Sequence, residues 1–188
     1  SPAFAASYQQ NDGTIIDPIQ SIFGGNHSYS GNNLGLGASL HYANLTNANL
    51  NNADLTDALI FNSDLTDATL VGAILVGAEL WLNTIDNTKL SDANLTGVTL
   101  TGALEEAVFI NANLTNASIK AQFNYSNFIN ANMTNANLTG SCRKTGVLYD
   151  FFEGVTWTNA TCSDGKKASG ASGCSENWKC CDCLQVGG

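Results

Sequence analysis

Proline is almost missing: Pro2 and Pro18 are the only two in 188 residues. That excludes collagen and proline-rich linkers. Charge is scarce too, at 12% of residues against roughly 25% in ordinary soluble domains. Lysine and arginine total seven, so there is no basic footprint for nucleic acid. Two histidines, His27 and His41, leave little material for catalytic or zinc sites built on imidazole. No apolar run approaches the roughly 18 residues of a membrane-spanning helix. The net charge of −9 does not mark a disordered acidic chain, because 44% of the residues are apolar and can bury themselves. What dominates instead is Asn (24), Ala (22), Leu (20) and Thr (17).

The two ends bear on compartment. Ala3-Phe4-Ala5 fits the small-x-small rule that precedes signal-peptidase cleavage. Residues 1–5 therefore read as the stub of an export signal. Six cysteines, Cys142, Cys162, Cys174, Cys180, Cys181 and Cys183, fall in the last 47 residues. An even number so clustered suits disulfides in an oxidising compartment. The spacing Cys180-Cys181-x-Cys183 is not that of a zinc ribbon, and no histidine lies nearby. No metal is expected, although a metal- or redox-active cysteine tail is a reading to set beside the disulfides. We expect a Cys162–Cys174 bridge clipping the end of the repeat. Cys142 is expected to pair with Cys180, Cys181 or Cys183.

Between the ends the chain falls into fives from Ala38. Leu or Ile stands third in thirteen consecutive pentads, from Leu40 to Leu100, and Ala stands first in nine of them. A period of five is neither 3.6 nor 2.0, so it describes neither an amphipathic helix nor an alternating strand. It describes a coil that turns a corner every five residues. Centres continue at Phe109, Leu114, Ile119, Phe123, Phe128, Met133, Leu138, Trp157 and Cys162. Continuing needs four-residue sides, placed at 103–106, 117–120 and 151–154. This phasing puts Glu105, Arg143 and Glu153 at centres, where they fit poorly.

The pattern A-(D/N)-L-x-x resembles the pentapeptide-repeat family over about 125 of the 188 residues. The resemblance implies an all-β fold, a right-handed quadrilateral β-helix with four five-residue sides per coil. The centre residue and the residue two before it would point inward. A narrow square tube suits one large and one small side chain per side, and close packing makes both sizes matter. Each buried Leu or Phe contributes roughly 1.5–3 kcal/mol. With 26 sides we expect about 6.5 coils and a rod roughly 30 Å long. Residues 6–37 are expected to form an N-terminal cap, 38–164 the β-helix, and 165–188 a disulfide-pinned tail. Covered ends keep the open edges from pairing with other chains.

Stacking at intervals of twenty places the outward residues. His41, Phe61 and Trp81 come directly above one another, flanked by Leu59 and Leu82, with Ile74 and Val76 on the adjacent side and Val71 on the next. Anchors of this kind are enriched at interfaces. Leu59, Phe61, Ile74, Val76, Trp81 and Leu82 are the candidate interaction patch, for a protein partner or weak self-association. A cap folding over them, or aromatic support of coil stacking, is the competing account.

Acidic residues suggest a second function, because some family members are acidic rods that resemble duplex DNA and bind topoisomerases such as gyrase. Acids ten apart, such as Asp54 with Asp64 and Asp57 with Asp67, would face opposite sides of the tube, however. Only Asp86 with Glu106 comes near the twenty-residue interval a phosphate-like ladder needs. Glycosylation-like triplets at Asn44, Asn94, Asn113, Asn132, Asn137 and Asn159 follow from the repeat itself. Glu105 and Glu106 are adjacent carboxylates, but no nucleophile, phosphate loop or metal cluster accompanies them, and a filled tube offers no cavity. No cofactor and no catalysis are expected. The leading expectation is a non-enzymatic exported rod, in periplasm or thylakoid lumen, acting as an interaction scaffold.

Overall fold

The computed structural model describes residues 8–10, 14–16, 19–25, 34, 36–143, 152–153, 155–168, 174 and 179–180. Among them there is no helix, and hence none long and apolar enough to cross a membrane. The chain forms a β-solenoid. Its strands are β1 (Tyr8–Gln10), β2 (Ile15–Ile16), β3 (Gln20–Ser21), β4 (Ser39–His41), β5 (Ala43–Asn44), β6 (Ala48–Asn49), β7 (Leu59–Phe61), β8 (Glu79–Thr84), β9 (Thr99–Glu105), β10 (Ser118–Asn124), β11 (Cys142–Arg143) and β12 (Lys179–Cys180). A seven-stranded sheet runs β12-β11-β10-β9-β8-β7-β4, and every pair in it is parallel. At the start of the chain, β1 and β3 lie antiparallel on β6 and β5.

The inward pairing expected from the repeat is present. Ala38, Ala43 and Ala48 are buried, and so are Leu40, Leu45 and every later centre through Leu100. Calling the side that carries residues 38–42 the first wall, its centres stack as Leu40, Ile60, Leu80, Leu100 and Ile119. Leu45 and Leu65 belong to the second wall, Leu50 to the third and Leu55 to the fourth. Farther along, the third wall changes to aromatic rings. Phe109 stacks on Phe128 at 4.7 Å and Phe128 on Phe152 at 5.4 Å, each nearly parallel.

The corners explain the asparagine. The residue two after most centres has a left-handed backbone, with φ of 50–60° at Tyr42, Asn47, Asn52, Asp57 and Asn62. Asn, Asp and Gly tolerate that region best and fill most of these corners, with Tyr42, Glu106 and Tyr125 as exceptions. Successive corner amides also bond along the rod: Asn159 Nδ2 to Asn135 Oδ1 at 2.9 Å, and Asn135 Nδ2 to Asn116 Oδ1 at 3.1 Å. The position before the centre has another use. Asn44 Oδ1 accepts the Thr46 amide N–H at 3.1 Å and its hydroxyl at 2.7 Å, and Asn94, Asn113 and Asn132 repeat the motif. The Asn-Leu-Thr triplets are thus structural units of the wall.

Two register assignments change. Thr69 pairs with Lys89, but Lys89 pairs with Val108, so one residue is lost in between. The shortened side is 98–101 rather than 103–106, and Leu104, fully buried, holds the centre. Glu105 follows it and never enters the tube. The 117–120 side is short as expected, since Ser118 pairs with Thr99 and Asn137 with Ser118. In the last turn Phe152, stacked on Phe128, takes the position assigned to Glu153. The Glu153 carbonyl accepts the Asn130 N–H at 2.8 Å. Arg143 does pair with Phe123 in the centre register.

The solenoid ends in a turn back. Thr161 pairs antiparallel with Lys167, and Ala168 N–H donates to the Ala160 carbonyl at 2.9 Å. Cys162, a buried first-wall centre, is bonded to buried Cys174 with Cα atoms 5.2 Å apart. Cys142 is also disulfide-bonded; Cys181 and Cys183 lie outside the described residues. So do the export stub, His27 and most of the C-terminal tail.

Candidate interaction face

The first wall carries the aromatic stripe. Backbone pairing sets His41 beside Phe61 and Phe61 beside Trp81. Ring centroids are 5.6 Å and 6.0 Å apart, with planes tilted 47° and 48°. Trp81 is 40% exposed and Leu59 39%. On the fourth wall, just before this one in the chain, Ile74 is 40% exposed and Val76 half-buried. Leu82 lies within β8. Trp81 is therefore open to solvent, whereas the N-terminal segment 19–25 meets the rod at Tyr42: Phe23 contacts Tyr42 at 5.2 Å, and Ile22 N–H donates to the Tyr42 carbonyl.

The wall changes shape at Trp81. Above it, left-handed corners at Tyr42 and Asn62 turn the chain sharply into the second wall. Below it, the strands run through the corner: β8 has six residues, β9 and β10 seven each. The two four-residue sides cause this, because each omits the residue that would make the turn. Opposite Thr101 the register slips between Leu80 and Asn83, a β-bulge. At the bend stands Gly102, with φ 124°. A groove of about 440 Å³ opens there, lined by Phe61, Trp81, Thr99, Thr101, Gly102 and Lys120. The sequence reading stopped at Trp81 and missed the last four. Stacking arithmetic places Lys120 over Thr101, a register the structure contains.

The second wall beside the groove is acidic. Asp86 aligns with Glu105, one residue short of the Glu106 expected from the sequence. Burial, and then the Glu105 and Asp64 carboxylates, raise the Asp86 pKa above the ordinary 3.8. Its Oδ1 is buried without a hydrogen-bond partner among the described residues. Elsewhere the acids meet neutral groups: Asn87 donates to Asp67 at 2.7 Å and Asn111 to Asp92 at 3.0 Å. Asp54 is held below its ordinary pKa by the Thr56 hydroxyl first and the Thr56 amide second. Glu106 occupies an exposed left-handed corner, while Glu105, at the end of β9, is half-buried. No group of three or more His, Cys, Asp or Glu among the described residues is placed to hold a metal.

The pentapeptide repeat model matches eight copies, over residues 37–63, 63–102 and 103–140. The chain belongs to the pentapeptide repeat family. No curated protein matches it. Solved structures similar to this pentapeptide repeat protein include HetL, involved in heterocyst differentiation regulation in the cyanobacterium Nostoc sp. strain PCC 7120. It is 25% identical, with 69% of this chain and 66% of HetL covered and a TM-score of 0.29. The match thus spans just under two thirds of HetL. A pentapeptide repeat protein of the Arabidopsis thaliana thylakoid lumen, AT2G44920, is 25% identical, covering 54% of this chain and 68% of that one, with a TM-score of 0.28. QnrB1, a plasmid-mediated fluoroquinolone resistance protein, is 21% identical, covering 64% and 76%, with a TM-score of 0.28.

Proposed function

We propose that this pentapeptide repeat protein is a non-enzymatic rigid rod that presents the His41–Phe61–Trp81 stripe to a protein partner. The single observation behind this reading is the 40% exposure of Trp81 in a wall where backbone pairing sets it beside Phe61. An exposed Trp beside Phe61, Leu59 and Ile74 is uncommon on a soluble surface and typical of interface anchors. Cross-strand aromatic pairing does stabilise the stack, by roughly 0.2–1 kcal/mol per pair. That role does not require Trp81 to remain open. Weak self-association would use the same residues.

The compartment belongs to the same proposal. Disulfides at Cys162–Cys174 and at Cys142 suit an oxidising space, and we assign the protein to the exported fraction, periplasm or thylakoid lumen. Residues 6–37 and 165–188 then serve as end caps. The test is affinity capture from the native compartment with wild type and the Phe61→Ala, Trp81→Ala double variant. The expected result is a partner that the double variant loses while its circular dichroism stays unchanged. Equal capture by both proteins removes the patch from the function.

A further inference from the structure

The groove below Trp81 has two chemically different ends. Phe61 and Trp81 make one end, and Lys120 makes the other, with side-chain-free Gly102 and the methyl-bearing Thr101 between. Lys120 forms no ion pair among the described residues, and its aliphatic stem lies along the rod toward Gly140. From 38 to 140 the chain has nine acids and only two cations, Lys89 and Lys120. Lys89 sits on the third wall. Over residues 38–140 the apolar stripe is thus continuous with the first wall's lysine, on a stretch in which acids outnumber cations nine to two.

Resting on the interaction reading above, we propose that the groove takes an extended segment of a partner protein bearing an apolar side chain followed two residues later by a carboxylate. Lys120, the one charged residue lining the groove, supplies the charge complementarity for the carboxylate. An acidic protein repels acidic surfaces in general, so an acidic ligand is admitted only where Lys120 offsets the field. The dimensions agree. Trp81 and Lys120 are two strand spacings apart, roughly 9.6 Å, so the level of Thr101 and Gly102 lies about 4.8 Å from each. In an extended peptide, side chains i and i+2 face the same way and lie roughly 6.6 Å apart. An apolar side chain packed below Trp81 therefore brings the second residue's carboxylate within reach of the flexible Lys120 ammonium.

The test is an NMR titration of the isotope-labelled full chain, following the Trp81 indole and Gly102 amide signals. The probes are the blocked peptides acetyl-Ser-Phe-Ser-Glu-Ser-amide and its Glu-to-Gln counterpart. The acidic peptide is expected to bind roughly two- to fivefold more tightly, the range of an exposed ion pair. Lys120→Gln is expected to abolish that preference without moving signals elsewhere in the rod. Equal binding of both peptides, still lost in the Phe61→Ala, Trp81→Ala variant, overturns the carboxylate preference and leaves the patch standing. No shift at Trp81 or Gly102 with either peptide overturns the groove proposal, and the capture experiment then decides the patch on its own. Shifts produced instead by a neutral oligosaccharide, cellohexaose, would make the groove a glycan site and overturn the peptide assignment.

Discussion

Asn83 bridges to Ser63 in the turn before it: its Oδ1 accepts the Ser63 amide N–H at 2.7 Å, while its Nδ2 donates to the Ile60 carbonyl at 2.7 Å. Ser63 does the same one turn earlier, accepting the Ala43 N–H at 3.0 Å and donating to the Leu40 carbonyl at 2.7 Å. At the other corners these groups bond locally, as Ala48 N–H does to the Leu45 carbonyl. The corners between the first and second walls after Leu40 and Ile60 lack that local bond. A buried hydroxyl or carboxamide from the next turn replaces it, and Ser141 repeats the arrangement on Ala121 and Ile119.

Asn83→Ala restores the commonest residue of that position yet is expected to destabilise the rod. It strands the buried Ser63 N–H and Ile60 carbonyl, each at about 1–3 kcal/mol, so a loss of roughly 2–6 kcal/mol should appear in chemical denaturation. Asn49→Ala, at an exposed third-wall position, should stay within about 0.5 kcal/mol. Equal effects at the two sites would show that the corner does not depend on the bridge.

The left-handed corners make a contrasting prediction. Asn47 has φ 58°. Asn47→Ala should cost about 1 kcal/mol, because an L side chain with a Cβ and no local hydrogen bond is strained there. Asn47→Gly should cost less than the alanine, since glycine enters the region without a steric penalty. The reverse order of melting temperatures would contradict the conformational account of why Asn fills this position.

Asp86 gives a pH dependence. Its folded pKa is raised chiefly by burial, with the Glu105 and Asp64 carboxylates adding to it. The folded protein therefore holds the proton more tightly than the unfolded chain. Stability from this group is complete below the ordinary 3.8 and is lost as pH rises through the higher folded value. Asp86→Asn should raise the melting temperature at pH 7, and the gain should shrink as pH falls toward 3. A gain that persists undiminished in acid would point to hydrogen bonding by the new amide rather than relief of charge.

The period of five and the Ala–Leu pair were enough to read the tube, because size and polarity alone separate inside from outside. The short side was harder to phase. Between the secure centres Leu100 and Phe109, a one-residue deletion fits equally well before or after Leu104 if only spacing is counted. The cost of burying the Glu105 carboxylate favours Leu104, and the structure agrees. Corner geometry was not legible from inward-facing residues, so the repeated Asn, Asp and Gly looked like composition rather than backbone conformation. The aromatic stripe was legible, since it needs only the twenty-residue register. Its extension to Lys120 lay in the same column but carried no aromatic signal to draw attention past Trp81.

The Cys162–Cys174 bridge should govern the C-terminal edge. Without it, the 161–168 turn is held to the last coil by backbone bonds such as Leu138 N–H to Thr161 carbonyl at 2.8 Å and Gly140 N–H to Ser163 carbonyl at 3.2 Å. Closing a loop of 12-residue separation is worth roughly 3 kcal/mol in the chain-entropy model. The Cys162→Ala, Cys174→Ala double variant should therefore lower the melting temperature by roughly 6–12 °C. Hydrogen exchange locates the effect. The Leu138 and Gly140 amides should lose protection first, whereas Leu95, bonded to Asn113 at 2.8 Å in the middle of the stack, should keep its own. A solenoid opens from its ends because each turn contacts only its neighbours. Uniform loss of protection along the rod would instead mean that the bridge stabilises the fold as one cooperative unit.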